Sequence, residues 1–162
     1  MAPILNALGV HVACLGNHDL DFGLENFEKF AGACAFPWLV ANILDKDTGE
    51  PIGGMGRVWM VETSGVKVGV VGLVEHEWLA TLATVDEGDL HYIDFISEGA
   101  KQAAHLREQG AELVVAVTHM RAPNDRKLLE HVMGVDIVCG GHDHSYQVNA
   151  AGPGKTTSLC TI

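Results

Sequence analysis

The regular alternation of apolar, strand-like runs with amphipathic, helix-like segments restricts the fold of this chain more than any other feature. Strand-like runs cover residues 10–15, 38–43, 57–63, 66–74, 113–118 and 135–139, and one or two further short strands are predicted from Ser145 onward. Helical patterns cover residues 24–33, 77–82, 96–109 and 124–133. Strands that alternate with helices in this way are typical of α/β layering, so we predict an α/β fold.

Local signals predict where several of these elements begin and turn. Ser64 and Gly65 separate two strand-like runs and are suited to a tight hairpin turn, so the sheets should be mixed rather than purely parallel. Ser97 is predicted to start one helix, and Asn124 is predicted to be the N-cap of another. With no internal repeat and no linker, we predict a single domain over residues 1–162.

Composition and charge restrict the classes of partner. The 162 residues are 48% apolar and 19% charged, which is an ordinary globular composition. The formal net charge of −11 opposes binding to nucleic acid or to anionic lipid. No apolar run reaches the ~20 residues that a membrane span needs, and the first residues do not resemble a signal peptide. We therefore expect no nucleic-acid or membrane partner and a cytoplasmic location by default, while the oligomeric state is open.

Polar segments follow three of the predicted buried strands. They are Gly16-Asn17-His18-Asp19, Thr118-His119 and Gly140-Gly141-His142-Asp143-His144. Open α/β sheets bind ligands at the carboxyl ends of their strands, so side chains from these segments are expected to meet. An amide oxygen and several imidazoles are suitable ligands for divalent cations.

The spacing of the two last histidines suggests a pair of ions. His142 and His144 are two residues apart, so in an extended chain their side chains point the same way. Each can then bind a different ion of a pair ~3.5–4 Å apart. Together with Asn17 and His119 they form the predicted metal-ligand set. Mixed nitrogen and oxygen ligands suit Mn, Zn, Fe or Co, and the sequence does not distinguish among these metals.

Two further groups of residues allow more than one interpretation. His18 and Asp21 share a face if the chain turns into a helix after Gly16, either as a capping pair or as an imidazole whose protonation a carboxylate controls. The run Glu75-His76-Glu77 is interpreted as a solvated helix start rather than a metal trio. Residues 152–157, which partly match a phosphate-binding loop, are interpreted as a turn between strands.

These segments together resemble the calcineurin-like metallophosphoesterase superfamily, and in particular its 5′-nucleotidase branch. The resemblance is carried by Gly16-Asn17-His18-Asp19-Leu20-Asp21-Phe22-Gly23, Phe36-Pro37-Trp38-Leu39-Val40-Ala41-Asn42, Gly72-Leu73-Val74-Glu75, Thr118-His119-Met120-Arg121 and Gly140-Gly141-His142-Asp143-His144. It implies a four-layer α-β-β-α sandwich with mixed sheets, and hydrolysis of phosphomonoesters or cyclic phosphodiesters with two divalent ions.

The resemblance also implies roles for single residues. Asn17, His119 and His142 would bind one ion, and His144 would bind the other. His18 is similar to the catalytic histidine of the family, and Asp21 is similar to the aspartate that pairs with it.

The sequence departs from the family pattern before Gly16. The family has an Asp-x-His strand end and a Gly-Asp strand end there, whereas residues 1–15 contain no Asp. We therefore expect a partial sandwich that lacks the first strands, an incomplete two-metal site, and little or no activity of this chain by itself. The nucleoside-binding C-terminal domain of the branch is also not expected within residues 1–162.

The leading functional hypothesis is a metal-dependent phosphoester hydrolase of the 5′-nucleotidase type, whose substrate is a nucleotide or a related small-molecule phosphoester. One alternative is a catalytically inactive metal-binding or interaction protein. Another is a cyclic-nucleotide phosphodiesterase or a phosphatase that acts on other compounds.

Overall fold

The computed structural model describes residues 1–150 and 158–161. In this part of the chain the α-helices are α1 (Ala2–Ala7), α2 (Leu24–Gly32), α3 (Phe95–Glu108) and α4 (Ala122–His131). The strands are β1 (Ala13–Cys14), β2 (Trp38–Leu39), β3 (Ile43–Asp45), β4 (Val58–Thr63), β5 (Val66–Val74), β6 (Leu90–Tyr92), β7 (Leu113–His119), β8 (Ile137–Gly140), β9 (Gln147–Ala150) and β10 (Ser158–Thr161). None of these helices is long and apolar enough to cross a bilayer.

The main sheet has the strand order β4-β5-β7-β8-β10-β9. Its four inner strands run parallel, and the edge strands β4 and β9 are antiparallel to their neighbours. Two short pairs accompany this sheet, a parallel pair of β1 with β2 and an antiparallel pair of β3 with β6. The predicted α/β class with mixed sheets is confirmed.

The hairpin between β4 and β5 is also confirmed. Ser64 and Gly65 both have positive φ, 52° and 77°, and Thr63 pairs with Val66 across the turn. Positive φ at both central residues is the geometry of the turns that match the right-handed twist of paired strands. The hairpin fixes the register of the strand that leads to the carboxyl edge of the sheet.

Two hydrophobic cores hold these elements together. One lies between the main sheet and the helices α3 and α4, and includes Leu73, Leu106 and Val114. The other packs α2 and the 3-10 helix His76–Thr81 against the short strands, and includes Phe27 and Trp78. Removing an apolar side chain from water stabilises the fold by about 25 cal/mol per Å².

A close backbone contact joins the second core to the main sheet. A Cβ atom at Gly72 would lie 2.6 Å from the carbonyl oxygen of Leu39, so only glycine allows β5 to approach β2 this closely. The fully buried Asn42 accepts a hydrogen bond from the backbone N–H of Val74 and donates to the Val74 carbonyl. These contacts fix the carboxyl end of β5, the strand after which Glu75 stands.

The predicted strands at residues 10–15 and 38–43 are wrong in their extent. Only Ala13–Cys14 of the first is a strand, and the second is divided into Trp38–Leu39 and Ile43–Asp45. The division occurs because the backbone N–H groups of Val40 and Ala41 donate to Gly56 and Gly72. The chain therefore changes partner from β1 to β6 within a few residues.

The predicted starts of the two long helices are also wrong. Asp94, rather than Ser97, caps α3, because its Oδ1 accepts from the N–H groups of Ile96 and Ser97 at 3.1 Å. Asn124 is not an N-cap, because α4 already begins at Ala122. The helix predicted to reach residue 133 ends at His131, where buried Val132 adopts extended geometry.

The remaining predictions agree closely with the structure. The helix predicted at residues 24–33 is Leu24–Gly32, and the short one at residues 77–82 is the 3-10 helix His76–Thr81. One or two short strands were expected from Ser145 onward, and two are present there, β9 and β10. The turn predicted at residues 152–157 lies outside the described residues.

Candidate metal centre

Side chains from three strand ends meet at the carboxyl edge of the sheet, as the sequence predicts. The Nε2 atom of His119, the last residue of β7, lies 2.8 Å from Oδ1 of Asn17, which follows β1. The Nδ1 atom of His142, which follows β8, lies 3.1 Å from the same His119 nitrogen. The structure therefore brings together Asn17, His119 and His142 although they are far apart in sequence.

The two separations from His119 Nε2, to Asn17 Oδ1 and to His142 Nδ1, can be compared with the spacing of ligand atoms around a divalent cation. Around an ion bound at ~2.0–2.1 Å, adjacent ligand atoms are about 2.9–3.4 Å apart. The separations of 2.8 and 3.1 Å are close to this range. One amide oxygen and two imidazole nitrogens form a ligand set that suits Mn, Zn, Fe or Co.

The local electrostatics keep His119 in the form that binds metal. Burial, together with the neighbouring imidazoles of His142, His18 and His144, lowers the pKa of His119 from 6.5 to about 4. The ring is therefore neutral at physiological pH, and a neutral imidazole is what a metal requires. A proton bound to Nε2 of His119 would block metal binding, so a metal ion and a proton would compete for this atom.

Gly16 and Gly141 allow the backbone to approach the His119 ring. A Cβ atom at Gly16 would lie 3.0 Å from Cε1 and Nδ1 of His119. A Cβ atom at Gly141 would lie 3.5 Å from the same Nδ1. Both glycines belong to the sequence blocks that supply the other donors. The missing side chain at Gly16 explains how the His119 ring fits against that loop, whereas a Cβ at Gly141 would make an ordinary van der Waals contact with the ring.

The loop that carries His142 and His144 is not extended. Both residues have positive φ, 86° and 50°, so the expected alternation of side chains along an extended chain is wrong for this segment. Left-handed backbone at a residue other than glycine costs about 1–2 kcal/mol. His144 is exposed and lies close enough to His119 to affect its pKa. Binding of a second ion by His144 stays a prediction.

The predicted pairing of His18 with Asp21 is present. His18 and Asp21 lie on and just after the 3-10 helix Asn17–Leu20, with Nδ1 of the imidazole 3.0 Å from the carboxylate Oδ2. Both side chains are exposed, at 77% and 49%. A carboxylate oxygen only accepts, so Nδ1 is the donor in this contact. The pair does not cap the helix through its side chains. Its catalytic role stays a prediction.

The aspartates of the two histidine-containing blocks accept hydrogen bonds from backbone N–H groups rather than from the three donor side chains. Asp19 accepts from the backbone N–H of Gly16 at 2.7 Å, and Asp143 accepts from the backbone N–H of Ala122 at 2.8 Å. The first contact closes the loop that presents Asn17. The second joins the His142 loop to the start of α4. Burial raises the pKa of Asp19 above its usual range.

Thr118 and Asp125 form a buried contact directly behind His119. The Thr118 hydroxyl donates to Oδ1 of Asp125 at 2.6 Å, and Asp125 is completely buried. The other carboxyl oxygen, Oδ2, has no hydrogen-bond partner among the described residues. Burial raises the pKa of Asp125 to about 7. The carboxyl group is therefore largely protonated in mildly acidic solution.

Glu75 is the residue at this edge that the sequence interpretation missed. The run Glu75-His76-Glu77 is not a solvated helix start throughout, because Glu75 is only 1% exposed. Its Oε2 accepts from the backbone N–H of Arg121 and from the Asn124 amide, at 2.9 and 2.7 Å. Its Oε1 lies 2.9 Å from Nε of Arg121. The one sequence signal was the position of Glu75, directly after a buried strand.

The second half of a two-metal site is not formed by the described residues. No group of three or more His, Cys, Asp or Glu side chains clusters within metal-binding distance in this part of the chain. Asn17, His119 and His142 provide one set of donors, and His144 is an additional imidazole nearby. No carboxylate among the described side chains bridges the two positions.

Known proteins share both the sequence pattern and the fold. The family model "Calcineurin-like phosphoesterase" matches residues 2–146. The chain is 30% identical to Protein 5NUC of Lutzomyia longipalpis and 29% identical to a 5′-nucleotidase of Diplobatis ommata, in each case over 94% of its own length. It spans 27% and 26% of those relatives, about a quarter of their length.

A solved structure shows the same fold. The 5′-nucleotidase precursor from Thermus thermophilus superimposes with a TM-score of 0.81 at 20% identity, covering 99% of this chain and 34% of that one. The family match covers residues 2–146, which is most of the chain. The chain belongs to the calcineurin-like phosphoesterase family.

Proposed function

We propose that this chain carries the metal-binding edge of a phosphoester hydrolase that acts on nucleotides with a divalent cation. The observation that supports this most directly is the convergence of Asn17 Oδ1, His119 Nε2 and His142 Nδ1, with separations of 2.8 and 3.1 Å. Family membership supports phosphoester hydrolysis as the reaction class. The 5′-nucleotidase among the relatives supports a nucleotide as the substrate class.

Asn17, His119 and His142 would hold one divalent cation, with His144 available to a second. A bound cation would polarise a phosphoryl oxygen and lower the pKa of water. The protein's part is to keep the ligands neutral and fixed. Burial keeps the His119 ring uncharged, and the short contact to Asn17 fixes its position. Affinity for the cation is therefore expected to depend on all three side chains.

His18 would act on the substrate rather than on the cation. It directly follows Asn17, and its exposed imidazole is oriented through Nδ1 by Asp21 at 3.0 Å. With Nδ1 engaged, Nε2 can donate a hydrogen bond to a phosphoryl oxygen or deliver a proton to the leaving oxygen when the ring is protonated. A positioned acid of this kind contributes typically ~10²–10⁴-fold to a rate.

Metal binding is the first test of this proposal. Calorimetric titration with Mn²⁺ should show binding to the wild-type chain and at least ~10-fold weaker binding to His119→Ala, since one of three ligands is lost. His131→Ala is the matched control, because His131 is an exposed histidine at the end of α4 whose ring lies 2.8 Å from the Lys127 carbonyl. Equal Mn²⁺ affinity of wild type and His119→Ala would contradict the ligand assignment.

Hydrolysis is the second test. AMP, 2′,3′-cyclic AMP and an aryl phosphate should be assayed with and without Mn²⁺. The described residues would provide three ligands for one cation and only His144 for a second. We therefore expect slow turnover that needs Mn²⁺ and is lost in His119→Ala. Turnover that persists after chelation of metal, or that His119→Ala retains, would overturn the proposal. Faster hydrolysis of AMP than of the aryl phosphate would support nucleotide as the substrate class.

A further inference from the structure

We infer that Arg121 is a phosphate-binding residue of this site and that the buried Glu75 holds its guanidinium in place. The inference rests on the proposed function, because it assigns a contact to the phosphoryl group of the same substrate. It starts from the position of Arg121 at the sheet edge, two residues after the metal donor His119.

The topology places Arg121 between the two histidine-bearing strand ends. Val74 pairs with His119 in the parallel ladder of β5 and β7, so Glu75 emerges beside the residues that follow His119. The next residue after Arg121, Ala122, donates its N–H to Asp143, which lies between His142 and His144. Arg121 is thus linked on one side to the end of β5 and on the other to the His142 loop.

The side chain of Arg121 is directed away from the core. Met120, the residue between His119 and Arg121, is fully buried in the core beneath the main sheet. Arg121 has extended backbone geometry, with φ −68° and ψ 147°. Successive side chains of an extended segment point to opposite sides, so His119 and Arg121 leave the strand end on the side opposite Met120. The Arg121 side chain is 47% exposed.

The contact with Glu75 leaves the terminal groups of the guanidinium available. Arg121 Nε lies 2.9 Å from Glu75 Oε1, and the other carboxylate oxygen is already bound by a backbone N–H and by Asn124. Neither Nη group has an acceptor among the described residues. An arginine that served only to neutralise a buried carboxylate would be expected to use its two-pronged face. Here the contact is made through Nε, and the side chain is 47% exposed.

The charge of the surroundings makes such a cation necessary. The chain has a formal net charge of −11, and Asp19, Asp21 and Asp143 all lie in the loops at this edge. A phosphate monoester is a dianion at neutral pH, and an acidic surface repels it. Arg121 is the Lys or Arg nearest in sequence to any of the metal donors. Its planar fork matches the oxygen geometry of a phosphoryl group.

The start of α4 does not offer a competing anion site. The N–H groups of Arg121 and Ala122 are already bound by the carboxylates of Glu75 and Asp143, and Pro123 has no N–H. An anion at this edge would therefore be bound by side chains. Among the described residues, the Arg121 guanidinium is the group at the start of α4 that can donate to it.

The test is equilibrium binding of inorganic phosphate to the chain, measured by isothermal titration calorimetry with and without Mn²⁺. Arg121→Met should weaken phosphate binding by roughly tenfold to a hundredfold, the effect of losing charge-assisted hydrogen bonds. Arg121→Lys keeps the charge without the fork and should weaken it less, by about threefold to tenfold. Mn²⁺ affinity measured in parallel should stay within about threefold of wild type in both.

Arg126→Met is the matched control. Arg126 is an exposed arginine of the same helix that donates to Gln147, so its loss changes the net charge equally without touching the site. Phosphate affinity of Arg121→Met equal to that of Arg126→Met would overturn the inference. Equal losses of phosphate and Mn²⁺ affinity in Arg121→Lys would also overturn it, since Arg121 would then support the fold or the metal site.

Glu75→Gln separates positioning from simple charge. Removing a negative charge beside the site would strengthen phosphate binding if only charge mattered. The side-chain oxygen of a glutamine at this position can still accept from the backbone N–H of Arg121 and from Asn124. Its amide NH₂ would then face Nε of Arg121, and because both groups are donors the guanidinium would no longer be held. We expect Glu75→Gln to bind phosphate more weakly than wild type. Tighter binding in this variant would overturn the role of Glu75.

Failure of the proposed function would look different. A wild-type chain that binds no Mn²⁺, or whose Mn²⁺ affinity does not respond to His119→Ala, removes the metal proposal. The comparison of Arg121→Met with Arg126→Met in metal-free buffer still decides the phosphate contact. A wild-type chain that binds phosphate under neither condition overturns the inference.

Discussion

His119 Nε2 lies 2.8 Å from Asn17 Oδ1, although 102 positions separate the two residues in the chain. The contact requires β1 and β7 to end at the same edge, and it requires a glycine before Asn17. It is the most direct structural sign that these strand ends form one site.

Gly16→Ala should damage the metal site through a single methyl group. Gly16 has φ −107° and ψ 163°, a conformation open to any residue, so backbone strain does not contribute. The added Cβ would meet the His119 ring at 3.0 Å. We expect roughly tenfold weaker Mn²⁺ binding and a loss of about 1–3 kcal/mol in the free energy of unfolding. Calorimetry and urea denaturation measure both.

Gly32→Ala is the control for that substitution. A Cβ at Gly32 would meet nothing within 4 Å, and the residue lies in the last turn of α2. Its Mn²⁺ affinity should equal that of wild type, and its stability should be unchanged or higher by about 0.5–1 kcal/mol. Similar Mn²⁺ affinities for the two alanine variants would show that the His119 ring does not need the space at Gly16.

His18→Ala should leave Mn²⁺ binding within about threefold of wild type while lowering the metal-dependent turnover number by ~10²–10⁴-fold. The reason is that His18 contacts Asp21 and is exposed, rather than joining the three donors. His131→Ala provides the comparison of one exposed histidine with another. If His18→Ala loses Mn²⁺ affinity to the same degree as His119→Ala, His18 is a ligand.

Asp125→Asn should change how stability depends on pH. The native pKa of Asp125 is raised to about 7, above the unfolded value of 3.8, so the native state holds the proton more tightly. The resulting stabilisation is complete below pH ~4 and is lost as pH rises through 7. Between pH 5.5 and 8 the wild type should therefore lose about 2 kcal/mol relative to Asp125→Asn.

Urea denaturation of both proteins at the two pH values measures that difference. His119 contributes the opposite slope, because its native pKa is lowered to about 4 and its stabilisation is lost as pH falls from 6.5 towards that value. The histidine is present in both proteins, so its effect cancels in the comparison. A stability difference that stays constant with pH would mean that Asp125 is ionised in the native state throughout.

Asn124→Ala should destabilise the fold by about 1–3 kcal/mol, because Glu75 then loses one of its donors in a buried position. Asn26→Ala is closely matched, since Asn26 and Asn124 are each the third residue of their helix. The Asn26 amide donates to the Phe22 carbonyl in an exposed position, so its loss should cost less than about 1 kcal/mol. Thermal or urea denaturation distinguishes the two, and equal losses would contradict the buried role of Asn124.

The meeting of Asn17, His119 and His142 could be predicted because each lies at or shortly after the end of an apolar run. The runs that end at Val74 and His119 are long enough, and apolar enough, to specify strands. Parallel strands bring their carboxyl ends to one edge of the sheet. The pairing of His18 with Asp21 was similarly local, because three residues separate the two in the chain.

Features that depend on distant partners could not be predicted. Glu75 appeared solvated because His76 and Glu77 beside it are polar, yet its burial depends on Arg121, 46 positions away. Asparagine is a favoured N-cap residue, but the side-chain amide of Asn124 donates to Glu75 instead. The left-handed backbone of His142 could not be predicted, since only a few per cent of residues other than glycine adopt positive φ.

The strict in-and-out pattern of β7 has a consequence for how this sequence can vary in length. Its residues alternate between half-buried and buried from Leu113 to His119. Inserting or deleting one residue inside this strand would exchange its two faces and turn the His119 ring into the core, while Thr118 would take its place at the edge. Insertions and deletions of one residue should therefore preserve Mn²⁺ binding in connecting segments such as residues 83–89 and abolish it within β7. A library of single-codon insertions across the gene, sorted for Mn²⁺ binding, would show this boundary directly.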